Sequence, residues 1–168
     1  MDLSNIMSEM LKDKIIDKIS EKSGTDINSS KKMVAKALPL ILGALKDNSN
    51  DPEKKESLEK AVKKNDGSVI DNLGLLDLED GNKILGHIFG DKKENVEKEV
   101  GDKKILSALA SLVMGALGKA NSSSGDSASS LLSSPGLMNI ATSFLDKDGD
   151  GDIKDDLLGM AMGFFKKK

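Results

Sequence analysis

Residues 102–119 read DKKILSALASLVMGALGK, and the fold turns on this stretch. Asp102 is a good helix N-cap. Behind it stands the most apolar run of the chain, about 14 residues from 105 to 118, which is too short to span a bilayer of about 30 Å. The spacing predicts a helix over 103–119. Ser107, Ser111 and Gly115 recur at i+4 along it, so another helix can approach one of its faces closely. Every amphipathic element must bury its face somewhere. Packing within the same chain is one use of that stripe, and self-association is the other.

Upstream, residues 31–45 align without gaps onto 103–117, and six positions are identical. Residues 84–90 match 157–163 in the same order. Two matches at nearly the same offset point to an internal duplication of about 72 residues. The rest of the chain also reads as helices. One runs from about residue 4 to 19, with Met7, Met10, Leu11, Ile15 and Ile19 on its apolar stripe. A second covers 29–46 with Pro39 inside, where a kink or break is expected. Asp51-Pro52 starts a third, as N-cap and N1. A further helix begins at Asp80 and stops near Gly90, and Asp91 with Glu94 makes a capping-box-like start for the next. The chain is expected to be all-α, a compact multi-helix domain. It divides into an N-terminal amphipathic helix (1–24), a first helical half (25–100) and a second half (101–168). Residues 121–134 hold eight Ser and read as a flexible linker.

Chemistry is concentrated in residues 146–157, DKDGDGDIKDDL, with six Asp in twelve residues. Asp146, Asp148 and Asp150 stand at positions 1, 3 and 5 of an EF-hand-like calcium loop. Gly151 at position 6 permits the sharp turn, and Asp152 at position 7 offers its carbonyl. Ile153 is the apolar residue at position 8. Leu157 replaces the bidentate Glu of position 12, Asp156 lies one residue short of it, and Lys154 adds a positive charge. A weak site follows, with Kd in the range of about 10⁻⁴–10⁻³ M. Asp146, Asp148, Asp150, Asp152 and Asp156 are the metal-ligand candidates, and Ca2+ is the single cofactor expected. A polar inter-helix turn is the competing reading.

The composition narrows the function classes. There is no Cys, hence no disulfide, thiolate site or Cys nucleophile. All 25 basic residues are Lys. Without Arg, Trp or Tyr, and with four Phe, the chain lacks bidentate phosphate contacts and base-stacking platforms, so nucleic-acid binding is disfavoured. The net charge of −3 is local: the twelve-residue loop carries −4 and the remainder +1. The first residues carry no basic signal-peptide start, and a cytoplasmic protein is expected. The one histidine, His87, sits between Leu85-Gly86 and Ile88-Phe89, where a packing role is expected. No nucleophile–base spacing or phosphate loop is present, so an enzyme is not expected.

Three segments resemble the YidB-like family of bacterial proteins of unknown function: ALPLILGAL at 37–45, DGNKILGHIFG at 80–90 and DKDGDGDIKDDLLGMAMGFF at 146–165. The resemblance implies an all-helical, homeodomain-like fold and no known activity. The functional expectation is a non-enzymatic interaction or structural module that binds Ca2+ weakly, with an unknown protein partner or self-association. The alternative is an uncharacterised enzyme or a DNA-associated regulator with no metal site. Peripheral membrane contact through 157–165 and the closing Lys residues is a minor option.

Overall fold

The computed structural model of the chain describes residues 12–132, and among them every regular element is helical. Helix α1 (Asp13–Ser23) buries Ile15, Ile16 and Ile19 and ends at Gly24, whose φ of 75° is the left-handed conformation that closes a helix without steric cost. Asp26 opens α2 (Ile27–Asn50) by accepting the Ser29 N–H at 2.9 Å. Pro39 lies inside α2, and the helix continues through it without the break that its sequence suggests. Pro39 is itself buried together with Leu38, Ile41 and Leu42. Packing therefore holds a turn that has lost one backbone hydrogen bond.

Asp51 caps α3 (Pro52–Lys64) through the Glu53 N–H at 3.0 Å. A single-turn helix, α4 (Ser68–Asp71), and a 3-10 turn, Leu73–Leu75, connect it to α5 (Leu78–Phe89). The cap of α5 is Asp77, three residues before the Asp80 start read from sequence, and it accepts the Glu79 N–H at 2.8 Å. Asp91 does not act as a cap. A 3-10 turn, Gly90–Lys92, runs directly into α6 (Lys93–Val100), which has no side-chain cap, because the backbone entering it is already helical.

Asp102 opens α7 (Lys103–Ser124) by accepting the Lys104 and Ile105 N–H groups at 2.8 and 3.1 Å. Its other carboxylate oxygen accepts the Thr25 hydroxyl at 2.9 Å, which ties the α1–α2 corner to the same point. The Ser-rich stretch departs from the linker reading within its described part. Residues 121–124 complete α7, and α8 (Ala128–Leu132) buries Ala128, Leu131 and Leu132. Ser tolerates helix ends, and three apolar side chains suffice to dock the short piece.

Helix α7 is the axis of the molecule. All residues from 105 to 118 are buried, and α7 packs against each of the other seven helices described. At 22 residues it is long and apolar enough to cross a membrane, since the helix continues past the apolar run to Ser124. Yet 83% of its most apolar window is buried inside the protein, as befits a core helix. The small-residue stripe is used within the chain. A Cβ built on Gly81 of α5 would lie 2.6 Å from the Ser107 carbonyl carbon, and one on Gly118 would lie 2.7 Å from the Asn65 carbonyl carbon. The two backbones touch at both places because no side chain intervenes. The aligned segments 31–45 and 103–117 fall on α2 and α7, and both are helical. Their environments differ, however, with α7 covered on all sides and α2 buried along one face.

Candidate functional site

The two helices α3 and α5 both lie on α7 and make little contact with each other. Between them runs a groove of about 490 Å³. Its apolar floor is Leu58 from α3, Ile84 and Ile88 from α5, and Met114 from α7. Glu53, Lys54, Lys60 and Lys64 line the α3 side, and His87 stands on the α5 side. On α3 the lining positions 54, 57, 58, 61 and 64 share one face, as the 3.6-residue period requires. Asn48, at the end of α2, closes one end. Its buried amide donates to the Ile88 carbonyl at 3.1 Å and satisfies a C-terminal carbonyl of α5 that has no partner within the helix.

The rim is net cationic, with three Lys against the carboxylate of Glu53. Lys54 pairs with Asp51 at 3.9 Å and Lys60 with Glu56 at 2.6 Å, both exposed, and pairs of that kind contribute roughly 0.2–1 kcal/mol. The carboxyl of Glu56 is held below the usual range by the Lys60 hydrogen bond and charge. His87 is exposed, contrary to the packing role expected from its neighbours. The inward face of α5 runs through Gly81, Leu85 and Ile88, and residue 87 falls off that stripe by a quarter turn or more.

On the opposite face of α3, Glu59 holds α8. Its carboxylate accepts the Ala128 N–H at 3.1 Å, the Ser129 N–H at 3.2 Å and the Ser129 hydroxyl at 3.2 Å. Partial burial alone raises the pKa of Glu59. The hydrogen bonds from Ala128 and Ser129, with the charge of Lys55, outweigh that effect and leave it below the ordinary 4.5. A second groove, of about 750 Å³, lies between α1 and the 70–74 turn. Lys12, Lys14, Lys18 and Lys119 mix there with Asp17, Glu21 and Asp71, and Lys119 pairs with Asp71. With four Lys interspersed among three carboxylates, this groove has only a small excess of positive charge.

The metal-ligand candidates Asp146, Asp148, Asp150, Asp152 and Asp156 lie outside the described residues. Among the described residues no group of three or more His, Asp or Glu side chains is placed to hold a metal ion. The groove residues were not singled out by sequence reading, although the shared face of 54, 57, 58, 61 and 64 on a charged helix was the available signal.

The model of a bacterial protein family of unknown function, DUF937, matches residues 5–120. The chain belongs to this family. The YidB-like resemblance is consistent with DUF937 membership. The DUF937 match takes in α1, the whole of the frame around α7 and both grooves, and it stops before α8 and the acidic residues 146–157. No curated protein and no solved structure matches the chain.

Proposed function

We propose that this DUF937 chain is a non-enzymatic interaction module that uses the α3–α5 groove to hold an acidic, amphipathic peptide segment. The observation that carries this is the pairing of an apolar floor, Leu58, Ile84, Ile88 and Met114, with an α3 rim on which three Lys outnumber the single carboxylate of Glu53. An apolar stripe on a ligand supplies burial, and flanking carboxylates meet the Lys side chains; this is helix-in-groove recognition. The only His stands exposed beside the groove with no carboxylate partner among the described residues, which supports binding over acid–base chemistry. The test is titration of an acidic amphipathic peptide, followed through the methyl signals of Ile84, Ile88 and Met114. Movement of these signals that Lys54→Glu/Lys60→Glu/Lys64→Glu abolishes supports the reading. Unmoved methyls at millimolar peptide defeat it.

The acidic loop carries a second role by its ligand spacing. Asp146, Asp148, Asp150, Asp152 and Asp156 bind Ca2+ weakly and stabilise the C-terminal part of the chain. Thermal unfolding with Ca2+, with Mg2+ and with chelator tests it. At a tenfold excess over Kd, a ligand of the native state adds roughly 1.4 kcal/mol, and Asp146→Ala/Asp148→Ala removes that gain. Equal melting temperatures in all conditions reduce the loop to a polar turn. Cytoplasmic residence and descent from a duplicated unit of about 72 residues complete this reading, and the homeodomain-like arrangement rests on the family resemblance alone.

A further inference from the structure

We infer that the acidic segment held by the α3–α5 groove is residues 72–80 of a second copy of this chain, with Leu75 on the apolar floor and Asp77, Glu79 and Asp80 against Lys60 and Lys64. This rests on the groove reading above and names its occupant.

Exposure singles out Leu75. It stands in the 3-10 turn Leu73–Leu75 and is 55% exposed, one of two large apolar side chains left open among the described residues. The other, Ile27, lies between Asp26 and Lys31 on its own helix and has no acidic setting. The setting of Leu75 is acidic throughout. Residues 72–82 hold Asp77, Glu79 and Asp80 and no Lys, and all three carboxylates are exposed. Glu79 and Asp80 have no ion-pair partner among the described residues. Asp77 caps α5 with one carboxylate oxygen, which accepts both N–H groups.

The groove offers the opposite sign at one of its ends. Three Lys against Glu53 leave its α3 side at +2. Glu53 sits in the first turn of α3 beside Lys54, whereas Lys60 and Lys64 stand in the last two turns. Lys64 has no ion-pair partner among the described residues. The Glu56 partner of Lys60 is exposed and weak enough to be exchanged for a new carboxylate. The three carboxylates around Leu75 therefore meet Lys60 and Lys64, and Glu53 repels them from the other end.

The corner cannot enter its own groove. Leu76 is buried and Asp77 caps α5, the same helix whose Ile84 and Ile88 form the groove floor. The turn is fixed at one end of that helix, so another molecule must supply the occupant. Corner and groove are unlike surfaces, and the contact is head-to-tail. One Leu with three carboxylates buries less than the roughly 1,200 Å² of a stable interface, so the association is weak and exchanges readily.

Sedimentation of the full chain at low salt tests this. The average mass should rise between about 10 µM and 1 mM protein, the range of a small transient contact, and fall back at high salt. Leu75→Ser/Glu79→Lys/Asp80→Lys in the corner, or Lys60→Glu/Lys64→Glu in the groove, should each weaken association at least tenfold. An equimolar mixture of the two variants should restore one-to-one pairs, since one keeps the groove and the other the corner, and that recovery shows both to be folded. Glu53→Gln should tighten association about twofold by removing the one repelling carboxylate. A chain that stays monomeric over this range overturns the inference, and so does association that survives either variant. The acidic peptide titration above then separates the two layers. Movement of the Ile88 and Met114 methyls leaves the groove reading standing with a different occupant, and unmoved methyls remove both.

Discussion

Replacing Gly81 with Ala adds one methyl at the closest approach of α5 to α7. The new Cβ would lie 2.6 Å from the Ser107 carbonyl carbon and 3.2 Å from its Cα, where ordinary contact begins at 3.4 Å. The obstacle is backbone in the second turn of the core helix, so no side chain can swing aside and α5 must shift outward by the better part of an ångström. Overpacking of this kind costs about 1–3 kcal/mol, partly offset by about 0.5–1 kcal/mol from the better helix propensity of Ala. A net loss of about 1 kcal/mol lowers Tm by roughly 2–4 °C in a chain of this size. Gly86→Ala is the internal control. It makes the same chemical change in the same helix, at a position where a Cβ meets nothing within 4 Å and where Gly has no positive φ. It should raise stability by about 0.5–1 kcal/mol. Chemical denaturation of the two variants against wild type reads both signs in one experiment. If Gly81→Ala were as stable as Gly86→Ala, α5 and α7 would not meet backbone to backbone, and the floor of the groove would be placed wrongly.

Two further outcomes follow from the capping residues. Asp102→Ala removes the acceptor for the Lys104 and Ile105 N–H groups and for the Thr25 hydroxyl, and should cost about 1–2 kcal/mol in thermal unfolding, whereas a loss under 0.3 kcal/mol would deny the cap any weight. For Glu59, the folded pKa lies below the ordinary 4.5, so its stabilising contribution is complete above that value and is lost as pH falls through the lower, folded one. Unfolding midpoints measured from pH 7 to pH 3 should show an acid limb that Glu59→Gln flattens while lowering stability at neutral pH, and an unchanged limb would detach Glu59 from α8.

The local signals in the sequence were legible because they act over a few residues. Asp51, Asp102 and Gly24 mark helix ends through their own side chains or backbone freedom, and the structure uses each of them as such. The small residues on 103–119 announced a close approach but not its partners, since Gly81 and Asn65 are brought there only by the tertiary fold. Pro39 was misjudged because helix propensity is a local quantity and burial of its neighbours overrides it. His87 was misjudged by looking at chain neighbours rather than at the 100° step of the helix, and that error was avoidable from sequence alone. The groove was harder to read. It exists because two helices that flank α7 stand apart, and such a gap leaves no mark in either helix.

The central position of α7 governs the order in which this protein can be made. Six of the seven helices packed on it precede it in the chain. At translation rates of about 5–20 residues per second, the first of them waits about 5–20 s and the last about 1–5 s before the helix they share is complete. Until then their apolar stripes have no common partner. When α7 does emerge, it is a 22-residue segment apolar enough to pass for a membrane span. The nascent chain therefore meets its sharpest choice at a single moment: either the six waiting helices close over α7, or the cell's hydrophobic-segment sorting machinery engages it first.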